Sequence, residues 1–259
     1  NSLYEKGFNF LKGIKVIFEN EDIVILFKPV GVLSQQAKDN DISVNEWLVG
    51  YLINKGEITP KTLESFKPSV CNRLDRNTAG LVLCGKTMRG LQGLSKMLKE
   101  RTLNKYYITL CEGIFDSVKD VKAFIVKDHK TNKSLVVNKT GDKDASPIHT
   151  VFYPIASSNN STLLKIHLLT GKSHQIRAQL SNLSHPIVGD VKYGAHKLKS
   201  NAGDKSHQLL VAYMAGFPKR CPEFPEMSGK IIVCDLPEEF KKILKETGFE
   251  KWEHGLQEV

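Results

Sequence analysis

Cysteine is sparse and unpaired: Cys71, Cys84, Cys111, Cys221 and Cys234 form no Cys-x-x-Cys motif and lie scattered along 259 residues. An odd, dispersed set excludes a disulfide framework and fits a reducing compartment, so a cytoplasmic protein is expected. Long apolar runs are missing too. No stretch approaches the roughly 18 apolar residues of a spanning helix, and the opening Asn-Ser-Leu-Tyr-Glu-Lys has no apolar stretch after its charges, so neither a leader nor a membrane partner is expected. Acidic side chains are the third shortage, with 28 Asp and Glu against 37 Lys and Arg, a net charge of +9 and a pI near 9.2. That balance favours a polyanionic partner, nucleic acid ahead of an acidic membrane surface.

With 41% hydrophobic residues the chain can bury a sizeable core, and a single domain over residues 1–259 is the default expectation. Residue 1 is Asn rather than Met, which fits a fragment whose upstream part was cut or is disordered. His174, His185, His196 and His207 recur every eleven residues, yet none has the close i, i+3 or i+4 partner of a metal site, so no metal is expected.

Ile14 to Phe18 and Ile23 to Phe27 are β-branched and aromatic runs around a polar Glu-Asn-Glu-Asp turn, the pattern of a hairpin. Ser43-Val-Asn-Glu46 matches a capping box and predicts a helix from there, while Leu81 to Cys84 reads as a buried strand. Thr87 to Leu98 carries Leu91, Leu94 and Leu98 on one side and predicts an amphipathic helix. Strands are predicted at Tyr106 to Cys111, Val121 to Val126, Leu135 to Val137, His149 to Ile155, Leu163 to Leu169, Leu209 to Ala215 and Ile231 to Val233. Ser173 to Leu183 reads as a short helix with Ile176, Leu180 and Leu183 towards the core and Arg177 free to project into a cleft. Pro237 to Lys245 reads as a closing helix, and Lys197 to Lys205 as an exposed loop. Without a regular βαβ period, the fold class expected is α+β, a mixed and mainly antiparallel sheet with flanking helices.

Three segments carry candidate chemistry. Arg73-Leu-Asp75-Arg76 sets a carboxylate between two guanidiniums, which favour its charged form. It suits a nucleophile or base, while a structural ion pair anchoring a loop is the alternative and, without further context, the commoner one. Thr170-Gly-Lys-Ser-His174 precedes a helix start where backbone N–H groups could receive a phosphate reinforced by Lys172 and His174, or merely cap the helix. It lacks the upstream glycine of a P-loop, which makes nucleotide hydrolysis a poor reading. In Lys105-Tyr106-Tyr107 the alternation of a strand sends one tyrosine to the core and leaves the other for a cleft, where it could stack on a base.

In order and spacing these segments resemble the RluA-type pseudouridine synthases of ribosomal and transfer RNA, over nearly the whole chain. Residues 21–31 are similar to the family's opening hairpin and Lys-Pro-x-Gly turn. Asn72 to Gly80 resembles its catalytic loop, commonly His-Arg-Leu-Asp-x-x-Thr-Ser-Gly. Lys105-Tyr-Tyr107 with Gly113, Leu169 to Arg177, and His185-Pro-Ile-Val-Gly-Asp190 with Tyr193-Gly194 resemble its remaining motifs. Asn72 stands where histidine is common, Ala79 where serine is, and Lys172 and Ser173 replace arginine and threonine conservatively.

The resemblance implies a pseudouridine synthase fold with a central active-site cleft, and catalysis by Asp75 with Tyr107 against the target base and Arg177 as basic partner of the aspartate. Ile187 or Val188 would supply the apolar contact beneath the base. Arg73, Arg76, Asn72, Lys172 and His174 are expected to contact RNA. Isomerisation breaks the C1′–N1 bond, turns the uracil and rejoins it at C5 without redox or hydrolysis, so no cofactor is expected. Ribosomal RNA, most of all the large subunit's, is the favoured substrate and transfer RNA the alternative, with the protein acting as a monomer. A small RNA-binding domain often precedes the catalytic domain in the family, and this chain starts too late to contain it. The rival readings are an inactive RNA-binding protein of the same fold, and a glycosidase, for which a second placed carboxylate is lacking.

Overall fold

The computed structural model describes residues 2–137, 144–200, 203–205 and 207–253, the segments 198–200 and 203–205 by their backbone alone. The chain divides into two compact units, Asn1–Leu103 with Tyr213–Asp235, and Asn104–Ala212 with Leu236–Val259.

The first unit begins with a helix that the composition of its segment did not predict, α1 (Leu3–Phe10). The hairpin follows as expected, β1 (Lys15–Glu19) pairing antiparallel with β2 (Ile23–Lys28). Asn20 shapes its turn by accepting from the backbone N–H groups of Asp22 and Ile23 at 2.9 and 2.8 Å. In β2, Ile23 to Leu26 are all fully buried, so the strand has no solvent face and its sequence is continuously apolar. It pairs antiparallel with β4 (Ala79–Gly85), from Ile23 opposite Gly85 to Lys28 opposite Gly80. The two-residue strand β3 (Ser69–Val70) joins the same β4. Helix α2 (Val44–Asn54) starts at Ser43 with the expected capping box. It lies close against α1 at Gly50, where a methyl group would overlap the carbonyl oxygen of Tyr4.

Helix α3 (Met88–Glu100) begins one residue after its predicted start, because Thr87 is the cap and accepts from the N–H of Gly90 at 3.1 Å. A Cβ on Gly90 would meet the backbone carbonyl of Asp22, which is held in turn by the N–H of Lys86 at 2.8 Å. Backbone cannot yield as a side-chain tip can, so Gly90→Ala is expected to cost about 1–3 kcal/mol through overpacking. Thermal unfolding followed by circular dichroism checks this: an unchanged midpoint would mean that the β2–α3 junction is slack.

In the second unit, β5 (Asn104–Glu112), β6 (Lys119–Asp128), β7 (Lys133–Val137), β8 (Ser146–Ser158) and β9 (Ser161–Leu168) form a sheet in the order β5-β9-β8-β6-β7. All four pairings are antiparallel, in agreement with the α+β expectation. Helix α4 (Gln175–Asn182) covers one face, where Ile125, Ile148, Ala178 and Tyr193 make a buried cluster. It starts two residues later than predicted. The cause is His174, which sits in the left-handed region at φ 55° and so cannot continue a helix from Ser173.

The expected loop at Lys197 to Lys205 contains a short antiparallel pair instead, β10 (Leu198–Ser200) with β11 (Gly203–Lys205); residues 201 and 202 between them lie outside the described segments. Strand β12 (Leu210–Gly216) passes from the second unit into the first, where Met214 to Gly216 pair with β13 (Ile231–Val233). Helix α5 (Glu238–Glu246) has Pro237 as its N-terminal cap residue and Gly248 at φ 88° past its end, as the sequence predicts.

Candidate active site

The loop bearing Asp75 is held from both sides by the first unit. Ser34 Oγ accepts from the N–H of Leu74 at 2.9 Å and donates to its carbonyl at 3.1 Å. Behind Asp75, the carbonyl of Arg76 accepts from the N–H of Gly31 at 2.9 Å and from Lys28 Nζ at 2.9 Å. A turn closes on the aspartate itself, with the N–H of Thr78 donating to the Asp75 carbonyl at 2.9 Å. Leu74 is buried, Asp75 half-buried, and Arg73 and Arg76 are exposed, so the loop turns both guanidinium-bearing residues towards solvent.

Asn72 has a different position from the RNA contact expected of it. Its amide accepts from the N–H of Leu83 at 2.7 Å and donates to the carbonyl of Leu81 at 3.4 Å, extending the β3–β4 pairing into the loop. An amide carries both a donor and an acceptor, which is what two consecutive backbone groups of a strand require.

Lys28 has a larger part than its place in a turn suggested. It is fully buried, and its ammonium donates to the carbonyls of Pro29, Val32 and Arg76 at 2.9, 2.8 and 2.9 Å. Burial pushes its pKa down to about 7 against the attraction of Asp75, and Arg76 adds to the depression. The unfolded chain, with an ordinary lysine near 10.4, therefore binds more protons than the folded one between about pH 7 and 10. Lys28 consequently favours folding most above that window, and the advantage is lost as pH falls towards 7. Lys28→Met should remove this dependence, so that the wild type gains up to about 1 kcal/mol per pH unit on the variant between pH 7 and 9. Urea titrations at both pH values measure it; parallel changes in the two proteins would contradict it.

In the second unit Arg177 is buried, with 7% of its surface exposed, rather than freely projecting. Its Nε and Nη2 donate to the two oxygens of Asp190 at 2.7 and 2.9 Å, a bidentate pair. The Tyr193 ring lies 4.8 Å from the guanidinium carbon. The Tyr193 hydroxyl accepts from the N–H of Ser134 at 2.7 Å and lies 2.9 Å from His174 Nδ1. Four side chains from the Thr-Gly-Lys-Ser-His-Gln-Ile-Arg and closing motifs thus meet: His174, Arg177, Asp190 and Tyr193. The residue types and spacing point to the first two alone, although Asp190 and Tyr193 stand in the closing motif.

Lys172 is exposed, but its backbone N–H does not await a phosphate: it donates to Gln175 Oε1 at 3.0 Å, which also accepts from Thr170 Oγ1 at 2.9 Å. The side chain of Gln175 caps the turn expected to hold an anion. In β5 Tyr107 is 8% exposed and Tyr106 is the more open of the two. Residues 186–188 are laid along β5, with the N–H of Glu112 donating to the Pro186 carbonyl at 2.9 Å and the N–H of Val188 to the Leu110 carbonyl at 2.9 Å. Ile187 is wholly enclosed, whereas Val188 retains 7% exposure. No group of three or more metal-ligating side chains occurs among the described residues, and no described helix is long and apolar enough to cross a membrane.

Residues 22–182 match the family model described as RNA pseudouridylate synthase. An uncharacterised RNA pseudouridine synthase of Mycoplasma genitalium is 33% identical over 83% of this chain and 67% of its own length. Ribosomal large subunit pseudouridine synthase D of Borreliella burgdorferi is 29% identical over 80% of this chain and 66% of its own. The mitochondrial tRNA pseudouridine(32) synthase of Saccharomyces cerevisiae is 28% identical over 81% of this chain and 44% of its own. The chain thus spans about two thirds or less of the length of these relatives. Among solved structures, human RNA pseudouridylate synthase domain containing 4 shares the fold, with a TM-score of 0.71 at 20% identity over 90% of this chain and 92% of that one. The matched segment includes the Asp75 loop, Tyr107 and Arg177, and this chain belongs to the RluA-type branch of the RNA pseudouridylate synthase family.

Proposed function

We propose that the protein isomerises uridine to pseudouridine within structured RNA, with Asp75 as the carboxylate that acts at the sugar. The observation that carries this is the anchoring of the Asp75 loop through backbone groups on both sides, by Ser34 and by Lys28 with Gly31, inside the matched family segment. A carboxylate aimed in this way costs little reorganisation at the moment of reaction, whether it attacks a carbon or removes a sugar proton. Tyr107 is the residue assigned to the flipped base and Arg177 the cation assigned to the aspartate, with Asp190 and Tyr193 fixing the orientation of the guanidinium. Val188 provides the apolar floor. Extrusion of the uridine costs a few kcal/mol, which base contacts and phosphate contacts by Arg73, Arg76 and Lys172 offset.

Large-subunit ribosomal RNA is the substrate we favour, because ribosomal synthases C and D recur among the relatives, and a tRNA enzyme is the second reading. The reducing cytoplasm is the fitting compartment for five free cysteines. RNA tritiated at uracil C5 provides the test. Isomerisation releases the label to water, so release is expected from one ribosomal RNA pool and not from transfer RNA. No release from any stable RNA would sink the assignment, and release from transfer RNA alone would replace the substrate.

A further inference from the structure

The sheet of the second unit has two unlike faces. Tyr107, its register partner Ile166, and Phe152 opposite Ile166 belong with the α4 side, where Ile125 and Ile148 make the core. On the other face Tyr106 of β5 stands opposite His167 of β9, and Tyr153 of β8 opposite Lys165 of β9. One strand further, Lys122 of β6 stands opposite His149 of β8. Tyr106 and His167 stack with ring centroids 4.5 Å apart and planes within 16°. The Lys165 ammonium lies 5.0 Å from the centroid of Tyr106, and His149 Nε2 lies 2.6 Å from Asp120 Oδ1.

Lys122 is exposed, while Tyr106, Tyr153, His149 and His167 are half-buried. Ile108 and Lys165 on this face are buried, and the part of such a face that meets water ordinarily carries polar side chains. This one carries two phenol rings and two imidazoles on adjacent strands, with exposed Lys122 at one side, Asp120 as the acid beside it, and Lys165 buried between the two tyrosine strands. Rings across the middle of an antiparallel sheet, edged with basic groups, are how sheet surfaces receive unpaired nucleotides: bases stack on the rings and phosphates meet the cations.

We propose that this face, on the opposite side of the sheet from Tyr107, binds single-stranded RNA as a second contact surface beyond the uridine-binding site. One base stacks on Tyr153, a neighbouring base covers the Tyr106–His167 pair, and Lys122 meets a phosphate. The inference rests on the RNA reading above and adds to it where the substrate is gripped.

A fluorescein-labelled 12-nucleotide oligoadenylate, which contains no uridine, separates this surface from the site of chemistry. Fluorescence anisotropy should show wild-type binding that Lys122→Glu and Tyr153→Ala each weaken about tenfold, with Tyr153→Phe retaining it. Lys122→Glu should also reduce the salt slope by about one counterion. The exposed position of Lys122 makes this variant a safe reporter of folding, which a thermal melt confirms for all three. Dissociation constants within twofold of the wild type for both Lys122→Glu and Tyr153→Ala would overturn the proposal. Tritium release from a saturating substrate is read in parallel. Release with unchanged oligoadenylate affinity rejects the second surface alone, whereas lost affinity without any release by the wild type upholds the surface and rejects the enzyme.

Discussion

Asp75→Asn is expected to lower tritium release from C5-labelled RNA by at least about a thousandfold while RNA binding stays within a few-fold of the wild type. The substitution keeps the size and shape of the side chain and removes its charge, so that it can neither attack a carbon nor take a proton. The loop should survive, because its anchors are backbone groups. Leu74 is held by Ser34, the Arg76 carbonyl by Lys28 and Gly31, and the Asp75 carbonyl by the N–H of Thr78, none of which is a hydrogen bond to the carboxylate. Electrophoretic mobility shifts and the release assay on the same preparation separate the two quantities. Release above one tenth of the wild-type rate would show that the chemistry belongs to another group, and a joint loss of binding and folding would show that the carboxylate is a structural anchor after all.

Asp190→Ala should have the largest effect on stability, a loss of about 3–5 kcal/mol. Asp190 is 2% exposed and Arg177 7%, and Asp190 accepts both Nε and Nη2 of the guanidinium. Removing the acceptor leaves a buried cation short of its bidentate partner, and arginine cannot shed its proton to escape. The backbone of Asp190 adds leverage: its carbonyl receives the N–H groups of Tyr193 and Ala195 at 2.9 and 3.2 Å, so a shift there disturbs the ring against Arg177. Urea unfolding of the variant measures the loss, and Arg177→Met with Asp190→Ala in one chain should recover a large part of it. A single-variant loss below about 1 kcal/mol would mean that water reaches the pair and screens it.

Much of the fold was legible because its causes are local. Ser43 with Glu46 announced α2, the polar turn between two β-branched runs announced the β1–β2 hairpin, and Pro237 with Gly248 bracketed α5. Helix α1 escaped notice for an equally local reason: eight residues with a glycine inside make a poor helix alone. It forms here because Gly7 and Gly50 let it lie against α2, with Phe8, Trp47 and Tyr51 packed together.

By itself the sequence determined the family and the antiparallel α+β architecture, since turn formers, caps and alternation act over a few neighbouring residues. It did not determine what each polar side chain holds. The amide of Asn72 reads as a loop contact until β4 is beside it. Arg177 looks free on a helical wheel until Asp190 arrives from the closing motif, thirteen residues on. Lys28 is a lysine in a turn until the chain brings back the carbonyl of Arg76, 48 residues later, to receive its buried ammonium. Those partners are chosen by burial: once water is withdrawn, each donor must take the acceptor that folding places within 3 Å, and only the tertiary structure decides which one that is.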